Sequence, residues 1–528
     1  MRKGLGWKDG GRNFIHSSTL PRNVMYNTRC ALFSILVLTL SGLTPMAVES
    51  APHPRFGGQL RYAIFQRVET LDVVNYLNFA ELQVAANLYE GLVKRDRFGR
   101  TVSAIAQSWT HSEDYRLWTF TIAQNAKFHD GAQVTATDIK RAWERAVRVS
   151  WLSAPELATE MPLLAISGAE AYRDNVREGT VKEIVGIRLI DERQLEVTLE
   201  KGDALFLAKL TAPVTWITKP RNTAIGRTRP IGTGKFRLAA DSVVEEIRLT
   251  ANNAYVWGRP YLDTVTFRYY GTVRDALFDF ESENLDALSM PLAEVTATRR
   301  GSNYYDVSHH QRTLIRTAKA VSVYLQVKAE STRTPSQDRV SVPKVGAGLN
   351  PSTSPELRKR AAHRTEWYDV LKYAINVDAL LRLQYGVELA QLASSDSPLR
   401  FNPTKAQRLL TQVAGDDSRP LRMHYAPLPD NTGAAIATRL RRDFLKIGFQ
   451  VATPNAMGST FRSTETDLVL FALPRCRGID ASLRKPSASK GLIPLYLLPA
   501  NLLCHPYIQG VNIGWSGSLI CDEVWLGK

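Results

Sequence analysis

Residues 104–139 read AIAQSWTHSEDYRLWTFTIAQNAKFHDGAQVTATDI, and the architecture is worked outward from them. Arg116–Ile122 alternates as a strand, with Leu117, Thr119 and Thr121 on one face and Trp118, Phe120 and Ile122 on the other. Phe128-His129-Asp130-Gly131 follows as a turn, in which Gly131 suits a positive φ. His129 reads as a turn residue rather than a base. Thr135 then serves as an N-cap, with Asp138 three residues on in the place of a capping-box acid. The helix so begun runs to about Val149 and stacks Trp143 over Val147 on its buried face.

On either side the chain goes on mixing both element types. Gln59–Phe65 reads as a strand and Glu81–Val93 as an amphipathic helix. Further strands are expected at Ile184–Ile190, Gln194–Leu199, Lys235–Leu238, Val244–Leu249 and Thr264–Tyr270. Residues 328–354 are rich in Ser, Thr, Pro and Gly and read as a surface insert. Helix returns at Trp367–Leu383. Another, capped by Asn431 or Thr432, runs through Lys446 and ends at Gly448. Strands follow at Phe449–Thr453 and Asp467–Ala472, and the last 38 residues are apolar enough to pack into a core. With no repeat period, this pattern predicts α/β or α+β lobes, not a barrel or solenoid.

The 528 residues are 44% hydrophobic and 22% charged, a globular balance for two or three domains. The formal charge is +16, but the basic residues are scattered, so no nucleic-acid partner is expected. Ahead of the uncharged run at 30–48 stand Arg2, Lys3, Lys8, Arg12, Arg22 and Arg29, the layout of a signal peptide cut after Ser50. Its strongest apolar run, Ala31–Leu40, is short against the roughly 20 residues of a membrane span. An uncleaved anchor is the alternative, and Met1 and Met25 both fit as starts. Removing residues 1–50 leaves about +12. Cys476, Cys504 and Cys521 then remain, with room for one disulfide and at least one thiol unpaired within the chain.

Catalytic motifs fail on spacing. Gly232-Thr233-Gly234-Lys235 lacks the glycine six places before the lysine, where Arg229 stands, and the Ser or Thr after it, where Phe236 stands. It reads as a structural turn between lobes. Gly514-Trp515-Ser516-Gly517-Ser518 misses a nucleophile elbow by one position. His309 and His310 are adjacent and cannot share a helix face as ligands. No enzyme, cofactor or metal is expected. Ten Trp, nineteen Tyr and eighteen Phe suit either a core or a ligand cleft.

Taken together, several segments resemble the family 5 extracellular solute-binding proteins of ABC importers, the group of periplasmic oligopeptide- and dipeptide-binding proteins. They are Gly57-Gly58-Gln59-Leu60, Tyr89-Glu90-Gly91-Leu92-Val93, Ala104–Trp109, Ala126–Gly131 and Val134–Ile139. Further on come Pro230–Phe236, Gly258–Asp263, Tyr373-Ala374-Ile375-Asn376, and Pro506–Gly510. The likeness covers 55–300 strongly and 365–528 loosely. It implies a two-lobed α/β binding-protein fold with an extra subdomain, closing at a hinge. It places the first lobe at 51–95, 188–298 and 491–528, the subdomain at 96–187, and the second lobe at 299–490 with its insert near 329–365.

The same resemblance implies a monomeric periplasmic protein that captures a peptide or related small solute for the permease subunits of an ABC importer. A sensor or chaperone-like protein without an importer, or an exported hydrolase, are the alternatives. Peptide-binding members supply an aspartate to the ligand's α-amino group late in the second lobe. Here Arg475 and Arg477 stand near that place, and a carboxylate on the ligand would suit them. If the segment is displaced, Asp480 takes the role instead.

Overall fold

The strand foreseen at 59–65 forms over Gln59–Ile64 (β1) and serves two cores at once. Leu60, Tyr62 and Ile64 enter the large core, while Ala63 faces a smaller one with Phe280, Leu285 and Leu503. This two-sided burial is what a mainly parallel strand at a sheet centre requires. The structure is a computed structural model. It describes residues 53–74, 77–96, 98–153, 161–175, 179–219, 230–289, 313–327, 366–385, 399–413, 421–425, 432–456, 467–474, 492–513 and 519–527.

After β1 come helix α1 (Phe79–Leu88), strands β2 (Ala106–His111) and β3 (Leu117–Ile122), helix α2 (Ala136–Ser153), and strands β4 (Ile187–Leu189) and β5 (Gln194–Thr198). Next are β6 (Phe236–Leu238), β7 (Glu246–Ala251), β8 (Thr264–Tyr269), α3 (Val273–Glu281), β9 (Ala287–Ser289) and the long β10 (Thr313–Val327). The chain continues through α4 (Val377–Tyr385), α5 (Pro403–Val413), β11 (Met423–Tyr425), α6 (Gly433–Lys446), β12 (Asn455–Ala456), β13 (Leu468–Pro474) and β14 (Leu492–Cys504). Among the described residues ten strands form one sheet, in the order β12-β11-β13-β10-β14-β9-β1-β8-β7-β6. A separate sheet of four has the order β2-β3-β5-β4.

Two strands carry the ten-stranded sheet from one core to the other. The start of β10 and the end of β14 pair at Thr313–Cys504, where β14 also meets β9. Their other halves pair at Leu325–Ile493, where β10 also meets β13. The register shifts between Thr317 and Val321, so three residues of β10 oppose one of β14. Such a bulge bends the strand and interrupts the ladder at the crossing. Beyond it Val323, Leu325, Leu371, Leu381, Phe444 and Leu470 build the second core. The molecule is therefore two-lobed.

Local rules explain most boundaries. The capping residues of α2 do what their spacing predicts: Asp138 Oδ2 accepts from the Thr135 N–H at 3.0 Å, and the Asp138 N–H donates back to Thr135 Oγ1 at 3.3 Å. Trp143 is fully buried and its indole N–H donates to Thr215 O at 3.0 Å, so the largest apolar side chain leaves no polar atom unpaired. Gly131 and Gly448 adopt φ of 88° and 87°, ending the turn and α6 as expected. The helix foreseen over 367–383 is broken at 375–376, because Asn376 Oδ1 accepts the Ala379 N–H at 2.9 Å and caps a new helix. The strand foreseen at 449–453 is reduced to one bridge, Val451 with Leu421.

Sequence-distant segments lock the first lobe. Lys94 Nζ lies 2.9 Å from Glu90 Oε1, 2.7 Å from Asp522 Oδ2 and 3.1 Å from the Tyr255 hydroxyl. The Tyr255 hydroxyl donates to Glu90 at 2.7 Å, and Lys235 Nζ donates to Asp522 O at 3.0 Å. Burial pushes the Glu90 carboxyl above its ordinary value against the pull of Lys94. Burial opposes ionisation of Asp522 too, yet Lys94 and Lys235 hold its carboxyl below the usual range. Nearby, Leu502, Cys504, Ile508, Leu519, Cys521 and Val524 enter the large core. Cys504 and Cys521 are both buried, and Cys476 lies outside the described residues.

Candidate functional site

A concavity opens where the parallel strands of the first lobe end. β8, β1 and β9 run side by side, with Ile64 beside Tyr269 and Ala63 beside Leu288. Ligands of α/β sheets bind outside such carboxyl ends, because the connections there splay apart. Here the walls are Tyr62–Ile64 from β1, Phe65 and Gln66 from the loop after it, Phe79, Ala80 and Gln83 from α1, and Ser289 from β9. Between them is an open hollow of about 270 Å³, continuous with solvent, whose enclosed part has room for about one water. The lining is aromatic, aliphatic, amide and hydroxyl, with no charged side chain among the described residues.

The wall formed by α1 is fixed in place by its N-terminus. Asn78 Oδ1 accepts the Glu81 N–H at 2.9 Å and Glu81 Oε2 accepts the Asn78 N–H at 2.8 Å, a complete capping box. Glu81 Oε1 also accepts the N–H groups of Glu69 and Thr70, at 3.0 and 2.9 Å. Gln66 Oε1 takes the Phe79 N–H at 3.0 Å. One carboxylate and one amide thus bind the loop after β1 to the first turn of α1. Burial pushes the Glu81 carboxyl up, although three backbone N–H groups stabilise its charge. Asn78→Ala is expected to cost about 1 kcal/mol in urea unfolding, the usual loss for a cap.

The other end of α1 is closed by backbone. The Gly234 N–H donates to Leu88 O at 2.9 Å. A Cβ on Gly232 would stand 2.3 Å from Leu88 O, and one on Gly234 2.6 Å from Leu88 C. The glycines of residues 232–234 therefore permit close packing on a helix end. The loop is a structural turn, as its sequence suggests, but it sits inside the first lobe rather than between lobes. His129 belongs to the same clamp. Its Nδ1 accepts the Gly232 N–H at 3.3 Å and its Nε2 lies 3.1 Å from Gly234 O, which sets a neutral imidazole protonated on Nε2. Burial lowers its pKa to about 4.

The residues singled out from sequence, Arg475, Arg477 and Asp480, lie outside the described residues. The strand before them, β13, ends at Pro474, which pairs with Val321 beside the bulge in β10. Residues 1–52, 328–365 and 514–518, with the signal segment, the insert and the elbow-like motif, are likewise outside. The concavity itself escaped the sequence reading. Its trace was the capping pair Asn78 and Glu81 directly after a buried strand, which also starts the helix at Phe79 rather than Glu81.

Comparison with known proteins agrees with this geometry. The model of the "bacterial extracellular solute-binding proteins, family 5 Middle" matches residues 100–472, more than half of the chain. The periplasmic murein peptide-binding protein MppA of Escherichia coli is 32% identical over 206 residues, 38% of this chain and 37% of that one. The dipeptide-binding protein DppE of Bacillus subtilis is 29% identical over 227 residues, 40% of this chain and 39% of that one. The matched stretches thus span under two-fifths of these relatives. The solved structure of the E. coli murein tripeptide binding protein MppA superposes with a TM-score of 0.62 at 18% identity, covering 91% of this chain and 100% of that one. Fold, crossing strands and family match converge, and the chain belongs to the bacterial extracellular solute-binding proteins, family 5.

Proposed function

We propose that this protein is exported, captures a peptide or a related small solute between its lobes, and delivers it to the permease subunits of an ABC importer. The observation that carries the reading is the uncharged concavity at the carboxyl ends of β1 and β9, in a sheet that continues through both lobes across a bulge. A ligand that touches both walls shifts the population from open to closed. The family match and the likeness to relatives named for murein peptides and dipeptides support a peptide. In this reading the lobe boundaries are those implied by the resemblance, near residues 95, 187, 298 and 490. Arg475, Arg477 or Asp480 supplies the charged contact that the first-lobe wall lacks. The protein works as a monomer after cleavage near Ser50.

Native mass spectrometry of the protein purified from a periplasm tests this. A bound mass identified as a peptide is the expected result. A bound non-peptide anion would keep the binding role and move the substrate class. An apo mass, together with no calorimetric response to tripeptide mixtures, would count against capture.

A further inference from the structure

One side chain belongs to both lobes. Phe79 is the half-buried first residue of α1, an element whose buried residues Ala80, Val84, Ala85 and Leu88 pack in the first-lobe core. Its ring instead packs against the second core, the one built on Val323, Leu371, Phe444 and Leu470. Phe79 also lines the concavity, as does Phe65. The two aromatic walls differ in one respect. Phe65 packs against a first-lobe cluster with Phe280 and Leu503, whereas Phe79 reaches across.

The backbone under Phe79 is over-determined on the first-lobe side. Its N–H is held by Gln66, the preceding Asn78 by Glu81 and Arg67 O, and the following turn by the capping box. The ring therefore cannot follow the second lobe as that lobe swings away. If the lobes part at the bulge between Thr317 and Val321, the ring, partly buried against the second core, loses that packing. That exposure of aromatic surface has a cost, about 25 cal/mol for each Å² uncovered.

We infer that Phe79 is an interlobe latch: it holds part of the unliganded population closed and couples occupancy of the concavity to closure. A ligand group that fills the space beside the ring packs on a surface already seated against the second lobe, so binding and closure reinforce each other through one side chain. The lining suits an uncharged apolar or aromatic group there. The ligand half of this inference rests on the binding-protein reading above, while the latch half does not.

Pulsed EPR on the full mature chain separates the two. Spin labels are placed at Asn253→Cys in the first lobe and Arg442→Cys in the second, both exposed positions. Without ligand, the parent is expected to show a short-distance population. Phe79→Ala should lower the closed-to-open ratio about fivefold, as for loss of an interface aromatic. Phe65→Ala enlarges the same space, but among the described residues Phe65 packs on a first-lobe cluster, so it should leave the ratio unchanged. Urea unfolding confirms that each variant folds. A parent without a short-distance population, a Phe79→Ala distribution like the parent's, or an equal shift in Phe65→Ala would each overturn the latch. If no tripeptide, Ala-Phe-Ala included, changes the parent's distances, the capture reading fails while the latch result stands.

Discussion

Replacing Lys94 by methionine is expected to lower the unfolding free energy by about 2–3 kcal/mol at neutral pH, less than the loss of a fully buried pair because the Lys94 and Asp522 side chains are 25% and 22% exposed. Methionine keeps the volume of the aliphatic stem, so the loss reads the charge. Lys94 sits between Glu90 and Asp522 at 2.9 and 2.7 Å, and without it the two carboxylates keep only the Tyr255 hydroxyl on Glu90 and Lys235 on Asp522 among the described partners. The variant should recover stability on acidification. Burial already raises the Glu90 carboxyl, and losing Lys94 raises it further. A folded carboxyl above its unfolded value contributes stability that is present below the unfolded pKa and is lost as pH rises through the folded one. Urea titrations at pH 7.5 and 5 should therefore show a smaller deficit at pH 5. A deficit equal at both would show that packing rather than charge was lost.

His129 gives the second large effect. Its folded pKa is about 4, against roughly 6.5 for a free imidazole. Between those values the unfolded chain binds a proton that the folded protein refuses, so stability falls as pH drops from 6.5 to 4. The span corresponds to about 3 kcal/mol. The physical cause is visible in the clamp, where Nδ1 accepts the Gly232 N–H and has no room for a proton. His129→Asn removes the titration. It is expected to be less stable than the parent at pH 7.5 and to show a flatter decline toward pH 4.5. Parallel slopes for the two proteins would mean that other groups govern acid unfolding.

These two residues also mark what could be read in advance. His129 was recognisable as part of a turn, since Gly131 and its neighbours carry local turn chemistry. Its clamp on Gly232 and Gly234 was not, because partners more than a hundred positions away leave no periodicity. Locally coded features came through well. Thr135 with Asp138 begins α2, and Gly448 ends α6. The strand 117–122 puts Trp118, Phe120 and Ile122 inward as alternation requires. The first helix begins at Phe79, two residues before the expected Glu81, because Asn78 and Glu81 form its capping box. The strand expected at 449–453 failed because β-propensity is satisfied there by a single bridge, the sheet edge being occupied by β11 and β12. The concavity was illegible for the same reason as the clamp. Tyr62, Phe79 and Ser289 meet only once β1, α1 and β9 are assembled. Arg475, Arg477 and Asp480 came from resemblance alone.

The tie between Lys94 and Asp522 spans 428 positions, and this separation sets the order of events during synthesis. The first lobe begins at β1, yet Gln83 and Asn87 of α1 bond to Leu519 and Cys521, and the charge on Lys94 is balanced by Asp522. This portion cannot complete its core until residues 519–522 have left the ribosome. Closing so long a loop is slow, and the core stays unfinished until then. For a protein proposed to cross a membrane as an extended thread, that delay keeps it threadable.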